Sequence, residues 1–315
     1  MISPADLATI PFDDWINAFV RGWLVPNFRP FFRAAQVPIT LVLNNLNAFL
    51  QFVPMILTTA VFALAAWRWA GRGIAIFTIL GFAFIDMIGL WPETMTTLAM
   101  IATSVLFCAI IGLPLGILAA RSDMFWKIAR PVLDIMQTIP SFVYLVPIVM
   151  LFGVGMAPGI IATIIFAIPP MVRLTNLGIR NVRGDLIEAA RAFGSTEWQM
   201  LWDLQFPLAL RTILAGLNQT LMLSLSMVVI AALIGAGGLG LIVNTGLGRL
   251  DVGGATAGGV GIVILAIVLD RITQGLGEGS KVQTLSFRQV LTRTLRGKGA
   301  APVAAPAARP EQSGP

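Results

Sequence analysis

The sequence predicts an all-α polytopic membrane protein with about seven transmembrane helices. Of its 315 residues, 57% are hydrophobic and 11% are charged, whereas a soluble domain carries about 25% charged residues. Apolar runs of about 20 residues recur along the chain, which is the length that a helix needs to cross the hydrocarbon core of a bilayer. We therefore expect spans at Phe52–Trp69, Ile74–Trp91, Leu98–Ala120, Val132–Val154, Pro158–Val172, Thr212–Gly235 and Thr256–Thr273.

The segment before the first span, residues 1–51, is predicted to be amphipathic. Aromatic and aliphatic residues recur at helical spacing over Phe12–Leu24, and Pro26 and Pro30 are expected to end this helix. A second stretch of the same kind follows Pro38. Helices of this type lie in the membrane interface or pack on the core of their own protein, and the sequence leaves both alternatives open.

The distribution of charge predicts which ends of the spans face the cytoplasm. The net charge is +6, but no face interleaves basic with aromatic residues as nucleic-acid binding would require. When the spans of the transmembrane domain 52–275 alternate in direction, most Lys and Arg residues fall on one face, which the positive-inside rule assigns to the cytoplasm. The N-terminus is then expected outside, with the polar loop 184–208 and the tail 276–315 inside. The end of the tail, 297–315, is rich in Ala, Pro and Gly and is expected to be disordered.

Catalysis by this chain is not expected. Histidine is absent from the sequence, which excludes Ser-His triads and disfavours a zinc site. The single cysteine, Cys108, can form no intrachain disulfide. The sequence contains no phosphate-binding G-x-x-x-x-G-K-[ST] loop, so an ATPase that drives transport would be a separate subunit. We therefore predict no catalytic residues, no metal site and no cofactor in this chain.

The polar loop carries the helix start and stop signals of two short helices. Asp185 can cap the first helix, and Gly194 stands where a left-handed residue often follows a helix end. Thr196 and Gln199 have capping-box spacing, which predicts the second helix. Pro207 is expected to stop that helix. The pattern predicts helix, glycine turn, short helix and proline, followed directly by a membrane span.

The same loop presents side chains that favour the docking of a partner. Ala189 and Ala190 are small enough to let another protein surface approach closely, and the aromatic side chains of Phe193 and Trp198 can fill a pocket in that surface. The alternative is an amphipathic loop that packs on its own membrane domain.

The order of residues in the loop resembles the EAA motif of permease subunits of bacterial ABC importers. In this sequence the motif consists of Glu188-Ala189-Ala190, Gly194, Leu204, Phe206 and Pro207, where Leu204 and Phe206 replace the usual aliphatic residues conservatively. Other segments with polar residues inside apolar runs are similar to the glycine betaine/proline betaine permease subfamily, namely 137–147, 173–179, 218–222 and 248–251. The resemblance covers roughly residues 11–274.

This resemblance implies a MetI-like type I importer permease fold and a transport role without catalysis. In that family the loop forms a coupling helix that docks in a groove of a cytoplasmic ATPase. The implied partners are two copies of that ATPase, which bind ATP and Mg, a second copy of the permease, an external binding protein and the bacterial inner membrane. The implied cargo is an osmoprotectant such as glycine betaine or proline betaine. The expected coupling residues are Glu188, Ala189, Ala190, Phe193, Gly194, Trp198 and Pro207.

Polar groups and breaks within apolar runs are candidates for the translocation path. Asn218 and Gln219 lie about two turns into a predicted span, where polar groups face a pathway or form interhelical hydrogen bonds. Pro140 permits a kink in another span, and Tyr144, the only tyrosine, follows it. Interrupted helices are where transporters often place substrate sites and gates.

Three further patterns admit more than one interpretation. Gly235–Gly240 fits G-x-G-x-x-G, but without a preceding strand it favours a turn or hinge over a dinucleotide site. Gly254 and Gly258 have the spacing of close helix packing, either within the chain or at a subunit interface. Asp134 is expected to pair with Arg130.

The alternative function is a secondary transporter or channel for small zwitterions that acts without an ATPase. Such a protein needs ionisable relays or ion ligands inside the membrane, and Asp86 is the one candidate near the middle of a predicted span. This alternative leaves the polar loop unexplained.

Overall fold

The computed structural model describes residues 14–15 and 18–278, and this part of the chain is built of helices with short connections. The predicted tail and the start of the first predicted helix lie outside the described residues. The helices, numbered along the chain, are α1 Val25–Phe52, α2 Met55–Trp69, α3 Arg72–Met87, α4 Trp91–Arg121, α5 Asp123–Thr138, α6 Leu145–Phe152, α7 Met156–Arg180, α8 Gly184–Ala192, α9 Glu197–Gln199, α10 Phe206–Ala232, α11 Leu239–Arg249 and α12 Val252–Glu278. Short π-helical or 3-10 turns precede α1, α6 and α10, at Ala18–Leu24, Ser141–Tyr144 and Met200–Gln205.

Helix α7 forms the centre of the described bundle, between α4 and α10. In its most apolar stretch 78% of the residues are buried, compared with 33% in α4. A Cβ atom at Gly116 of α4 would lie 2.5 Å from the Cβ atom of Thr175, and one at Gly216 of α10 would lie 3.0 Å from the Cβ atom of Leu174. Only glycine allows so close an approach, and small residues at the crossing are typical of membrane helix packing.

The long helices define two ends of the bundle. Arg121 at the end of α4 donates a hydrogen bond to the carbonyl of Glu197, and Arg180 at the end of α7 donates one to the carbonyl of Ala119. These residues share one end with the polar loop, and we call it the loop end. The first residues of α4 and α7 and the last residues of α10 form the opposite end.

The predicted count of seven spans is not confirmed. Among the described residues, four helices are long and apolar enough to cross a membrane, and six crossings result if each of two bent helix pairs is counted as one. The predicted spans Phe52–Trp69 and Ile74–Trp91 correspond to α2 and α3, which have 15 and 16 residues. Both are shorter than the roughly 20 residues of a full crossing.

The predicted span Val132–Val154 is broken in its middle. Helix α5 ends at Thr138, and the chain turns by 103° before α6. The cause is Pro140, because helical geometry is disfavoured for the residue before a proline, and Ile139 is extended. The carbonyl of Met136 would normally accept the amide N–H of residue 140, which proline lacks. The hydroxyl of Tyr144 donates to this carbonyl instead.

The expectation that Pro26 and Pro30 end the first helix is wrong. Pro26 lies in the first turn of α1, where no amide donor is needed, and Pro30 and Pro38 lie inside the helix. An interior proline costs about 3 kcal/mol, and the packing of buried Ile39 and Leu43 on the bundle offsets this cost.

Helix α1 touches the opposite end of the bundle in two places. The ring centroid of Phe32 lies 5.2 Å from that of Phe152, at the end of α6. The amide of Gln51 donates to the carbonyl of Pro92, at the start of α4, over 2.8 Å. Since both contacts lie at the same end, α1 runs across the bundle rather than through it.

The run Gly235–Gly240 forms the turn between α10 and α11, as the turn interpretation predicts. Gly238 has φ of +77°, and a Cβ atom at Gly240 would lie 2.3 Å from the carbonyl oxygen of Val228. The turn therefore needs glycine for its backbone conformation and for its close packing. A Cβ atom at Gly258 would lie 3.0 Å from the side chain of Val243, so this glycine packs within the chain.

Candidate functional site

The first helix of the polar loop, α8, ends in a glycine turn. Gly194 has φ of +79°, its amide donates to the carbonyl of Arg191 over 2.9 Å, and the amide of Ser195 donates to the carbonyl of Ala190 over 3.0 Å. This pair of hydrogen bonds with a left-handed glycine is the Schellman arrangement. The predicted role of Gly194 as the residue after the helix end is confirmed.

The start of α8 differs from the prediction. Asp185 does not occupy the capping position, because the helix already begins at Gly184 after an extended Arg183. Asp185 lies in the first turn, where the helix dipole favours a carboxylate, and pairs with Arg183. The hydrogen bond from Arg183 holds the pKa of Asp185 below its ordinary value, with a smaller contribution from the amide of Leu186.

The second helix begins with the predicted capping box. The hydroxyl of Thr196 accepts the amide N–H of Gln199 over 3.3 Å, and the Gln199 side chain accepts the amide N–H of Thr196 over 2.9 Å. Each residue thus satisfies an orphan donor of the other.

The expectation that Pro207 stops this helix is wrong. Residues Glu197–Ala232 form one helical stretch of 36 residues, in which a π-helical turn at Met200–Gln205 precedes Pro207. In a regular α-helix the proline ring would collide with the carbonyl of Asp203. A π-helical turn is wider, which moves this carbonyl out of the way and lets the helix continue.

The polar loop is anchored to the transmembrane helices at the loop end of the bundle. Leu201 and Met200 are 0% and 3% exposed and anchor the second helix. The Arg121 guanidinium lies 5.3 Å from the ring centroid of Trp198, within cation–π range. Arg180 also forms an ion pair of 2.6 Å with Asp123. The second helix of the loop is therefore anchored on the bundle.

The face of the polar loop that points away from the bundle exposes most of the residues predicted for coupling. Phe193 is 91% exposed and Trp198 is 61% exposed, while Glu188 and Ala189 are exposed and Ala190 is half-buried. Trp202 stacks on Trp198 with ring centroids 6.1 Å apart. Large aromatic side chains exposed together mark an interaction site. We call the surface formed by Glu188, Ala189, Ala190, Phe193, Gly194, Trp198 and Trp202 the coupling surface.

The alternative of a loop that packs on its own domain holds for one side only. Leu201 and Met200 face the bundle, whereas no described residue covers Phe193. Pro207 is exposed as well, but it lies at the base of α10 beside Arg211, away from the aromatic pair.

Asn218 forms the interhelical hydrogen bonds that the sequence left as an alternative. Its amide donates to Asp270 of α12 over 3.0 Å, and Gln274 donates to the same carboxylate over 2.7 Å. Thr273 lies within hydrogen-bond distance of the Asn218 carbonyl. Gln219 is exposed and lines a cavity of about 300 Å³ beside this cluster.

The structure does not bring the four predicted path residues together. Tyr144 follows the bend at Pro140 and packs against a cluster of buried residues that includes Met227 of α10. Asn218 and Gln219 lie on the same helix but roughly 13 Å nearer the loop end, from a rise of about 1.5 Å per residue. The four predicted path residues therefore lie at two different depths of the bundle.

The predicted partner of Asp134 is wrong. Its carboxylate pairs with Arg173 over 2.6 Å, not with Arg130. Asp134 and Arg130 are neighbours on one helix, but the approach of α7 provides a partner from a distant part of the sequence.

Comparison with known proteins identifies the family. The description "binding-protein-dependent transport system inner membrane component" matches residues 112–279, from the middle of α4 to the end of α12. The chain belongs to this family. The matched region contains the whole coupling surface, and the resemblance inferred from the EAA motif is confirmed.

Two relatives that match more than four fifths of the chain are named as betaine permeases. The glycine betaine/proline betaine transport system permease protein ProW of Escherichia coli (strain K12) is 53% identical over 281 residues, or 89% of this chain and 79% of that protein. The glycine betaine transport system permease protein OpuAB of Bacillus subtilis (strain 168) is 47% identical over 270 residues, or 86% of this chain and 95% of that protein.

A solved structure supports the fold. An inward-facing form of the MetNI methionine ABC transporter aligns with a TM-score of 0.52 and 25% identity, covering 61% of this chain and 94% of that chain. The predicted MetI-like permease fold is thereby confirmed, and the chain is an inner-membrane component with several membrane-spanning helices.

Proposed function

We propose that the chain is the membrane-spanning permease subunit of an ATP-driven importer for glycine betaine or proline betaine-type osmoprotectants. The names of the relatives support the cargo, since their identity extends over the helices that would form the path. The observation that carries the transport mechanism is the coupling surface. Its aromatic residues are exposed, and Trp198 and Trp202 lie on a helical stretch that continues into the membrane.

The loop end is the cytoplasmic end in this proposal. Basic residues gather there at the ends of α2, α4 and α7, with Arg68, Arg121 and Arg180 as examples, whereas Arg249 lies at the opposite end. This asymmetry follows the positive-inside rule. The N-terminus then lies outside, α1 lies along the outer interface, and the tail is cytoplasmic.

Two copies of the chain pair around a central path, and each docks one ATPase subunit through its coupling surface. Glu188, Ala189, Ala190, Phe193, Gly194, Trp198 and Pro207 couple the two proteins. ATP and Mg bind to the ATPase and not to this chain. Closure of the ATPases pulls the coupling surfaces together and opens the path to the outside, where a loaded binding protein releases its cargo.

The path is lined at two levels. At the bend, Pro140 and Tyr144 place non-helical backbone at membrane depth, where transporters tolerate it if it borders a cavity. Nearer the loop end, Gln219 lines a cavity while Asn218 fixes the neighbouring Asp270.

The test is ATP-dependent uptake in proteoliposomes that contain the chain, the ATPase and the binding protein of its transport system. We expect uptake of radiolabelled glycine betaine and stimulation of ATP hydrolysis by the loaded binding protein. Uptake by this chain alone, unaffected by ATP, would contradict the proposal and support the secondary transporter.

The coupling surface is tested with Gly194→Arg. A Cβ atom at Gly194 would meet no described atom within 4 Å, so the new side chain extends from the surface toward the ATPase groove, although any side chain at φ of +79° also strains the turn by about 1 kcal/mol. Uptake and stimulated ATP hydrolysis should fall more than tenfold, while the amount of protein in the membrane stays the same. The matched control is Gly89→Arg, which adds the same charge at an open helix-end glycine with φ of +74° and the same pair of hydrogen bonds, and should leave uptake within twofold.

A further inference from the structure

A large cavity lies at the opposite end of the bundle, away from the coupling surface. Its volume is about 580 Å³, within the roughly 300–1,000 Å³ of small-molecule sites. It is bordered by Asn47 of α1, Glu93 and Thr96 of α4, Arg249 of α11 and Asp251 before α12. Helix α4 has 31 residues, which at about 1.5 Å per residue separates this cavity from the loop end by roughly 45 Å.

Two oxygen atoms of side chains that line the cavity lack a hydrogen-bond partner. Glu93 Oε2 and Asn47 Oδ1 are shielded from solvent and accept no hydrogen bond from any described residue. A buried acceptor without a donor costs about 1–3 kcal/mol, and a charged one costs more. The dipole of α4 favours a carboxylate in its first turn, but it supplies no donor to Glu93 Oε2.

The same cavity offers a cation without an ionic partner. Arg249 is exposed and forms no ion pair within the described ranges. Asp251 also lines the cavity, and its carboxylate accepts the amide N–H of Gly254 and caps α12. The lining thus carries two carboxylates, those of Glu93 and Asp251, and one guanidinium, that of Arg249.

The wall around Glu93 is held in place by the turn between α10 and α11. The amide of Leu239 donates to the hydroxyl of Thr97 over 2.8 Å, and a Cβ atom at Gly238 would lie 2.4 Å from that hydroxyl. The cavity is therefore formed before any ligand arrives, as is usual for small-molecule sites.

We propose that this cavity is a cargo subsite for a small zwitterion, in which Glu93 faces the quaternary ammonium group and Arg249 binds the carboxylate. The inference rests on the proposed function and adds a place where cargo waits between the binding protein and the path. A quaternary ammonium carries no N–H, so charge attraction holds it rather than hydrogen bonds. A divalent metal fits less well, because the described residues contain no group of three His, Cys, Asp or Glu that could hold one.

The subsite is tested by direct binding to the full chain in lipid nanodiscs, without the binding protein. Saturation-transfer NMR with glycine betaine should show binding by the wild type, at least fivefold weaker affinity in Glu93→Gln, and a similar loss in Arg249→Gln. The competitor 3,3-dimethylbutanoate has the same shape without the positive charge and should not displace the betaine.

The matched control is Asp86→Asn, which removes a carboxylate from the last turn of α3, outside the cavity lining. We expect it to bind like the wild type. Equal affinity in Glu93→Gln and the wild type, displacement by 3,3-dimethylbutanoate, or no binding by the wild type would each overturn the subsite. The proposed function is judged separately by the uptake experiment, because uptake can succeed when this binding test fails.

Discussion

At the scale of single residues, Tyr144 replaces a hydrogen bond that Pro140 removes. The carbonyl of Met136 lies in the last turn of α5, and the Tyr144 hydroxyl is the donor that reaches it across the bend. The sequence analysis placed Tyr144 in the path because it is the only tyrosine, and the structure adds a reason that does not depend on cargo.

We expect Tyr144→Phe to destabilise the protein by about 0.5–1.5 kcal/mol, because a part-buried carbonyl loses its donor. The measurement is thermal unfolding of the purified protein in detergent. Phe142→Leu is the control, since Phe142 is 60% exposed and its ring donates no hydrogen bond. An unchanged Tm in Tyr144→Phe would show that the hydroxyl serves the path and not the bend.

Helix caps and turns were predictable from the sequence, because they depend on neighbouring residues. Gly194 and the pair Thr196 and Gln199 were found because caps and turns depend on residues three to five positions apart. The pairing of Asp134 with Arg173 was missed, since it joins residues 39 positions apart and depends on how α5 meets α7.

At the scale of helices, glycine decides how closely α4 and α7 approach. A Cβ atom at Gly112 would lie 2.8 Å from the side chain of Met171, and one at Gly116 would lie 2.9 Å from the carbonyl of Val172. These two glycines have the same four-residue spacing as Gly254 and Gly258. The sequence analysis noticed only the second pair, because spacing alone does not reveal which face meets a neighbour.

We expect Gly116→Val to destabilise the bundle by about 1–3 kcal/mol, as overpacking does when backbone atoms must move. Thermal unfolding and the yield of monodisperse protein measure this effect. Gly259→Val on α12 is the matched control, because a Cβ atom there meets no described atom within 4 Å. Equal stability of the two variants would mean that the α4–α7 crossing relaxes freely.

At the scale of the whole molecule, the helical class and the family were predictable, but the number of crossings was not. Composition and run length reveal apolar helices, whereas they do not show where a helix bends. The bends of 103° and 105° turn two apolar stretches aside, and each follows from a proline whose preceding residue is extended, at Ile139 and at Val53.

The proposed orientation predicts opposite accessibility of two engineered cysteines. Leu250→Cys, at a position 88% exposed, should react with a membrane-impermeant maleimide in intact cells. Asn181→Cys, exposed at the loop end, should react only after the membrane is permeabilised. The native Cys108 is buried and gives little background in a wild-type control. The reverse labelling pattern would place the loop end outside and contradict the positive-inside assignment.

The unbroken helical stretch from Glu197 to Ala232 has a mechanical consequence. At about 1.5 Å per residue its 36 residues form a rod of roughly 54 Å. The rod begins beside Trp198 and ends at the turn that borders the cavity proposed as the cargo subsite. A displacement of one end of this rod is transmitted to the other end without an intervening loop. The rod has one irregular turn, at Met200–Gln205, and a change there from π to α winding would rotate the remainder by about 100°, the angle that one residue occupies in an α-helix. In the proposed mechanism, the stroke of the ATPase can thus act on the path as torsion as well as displacement.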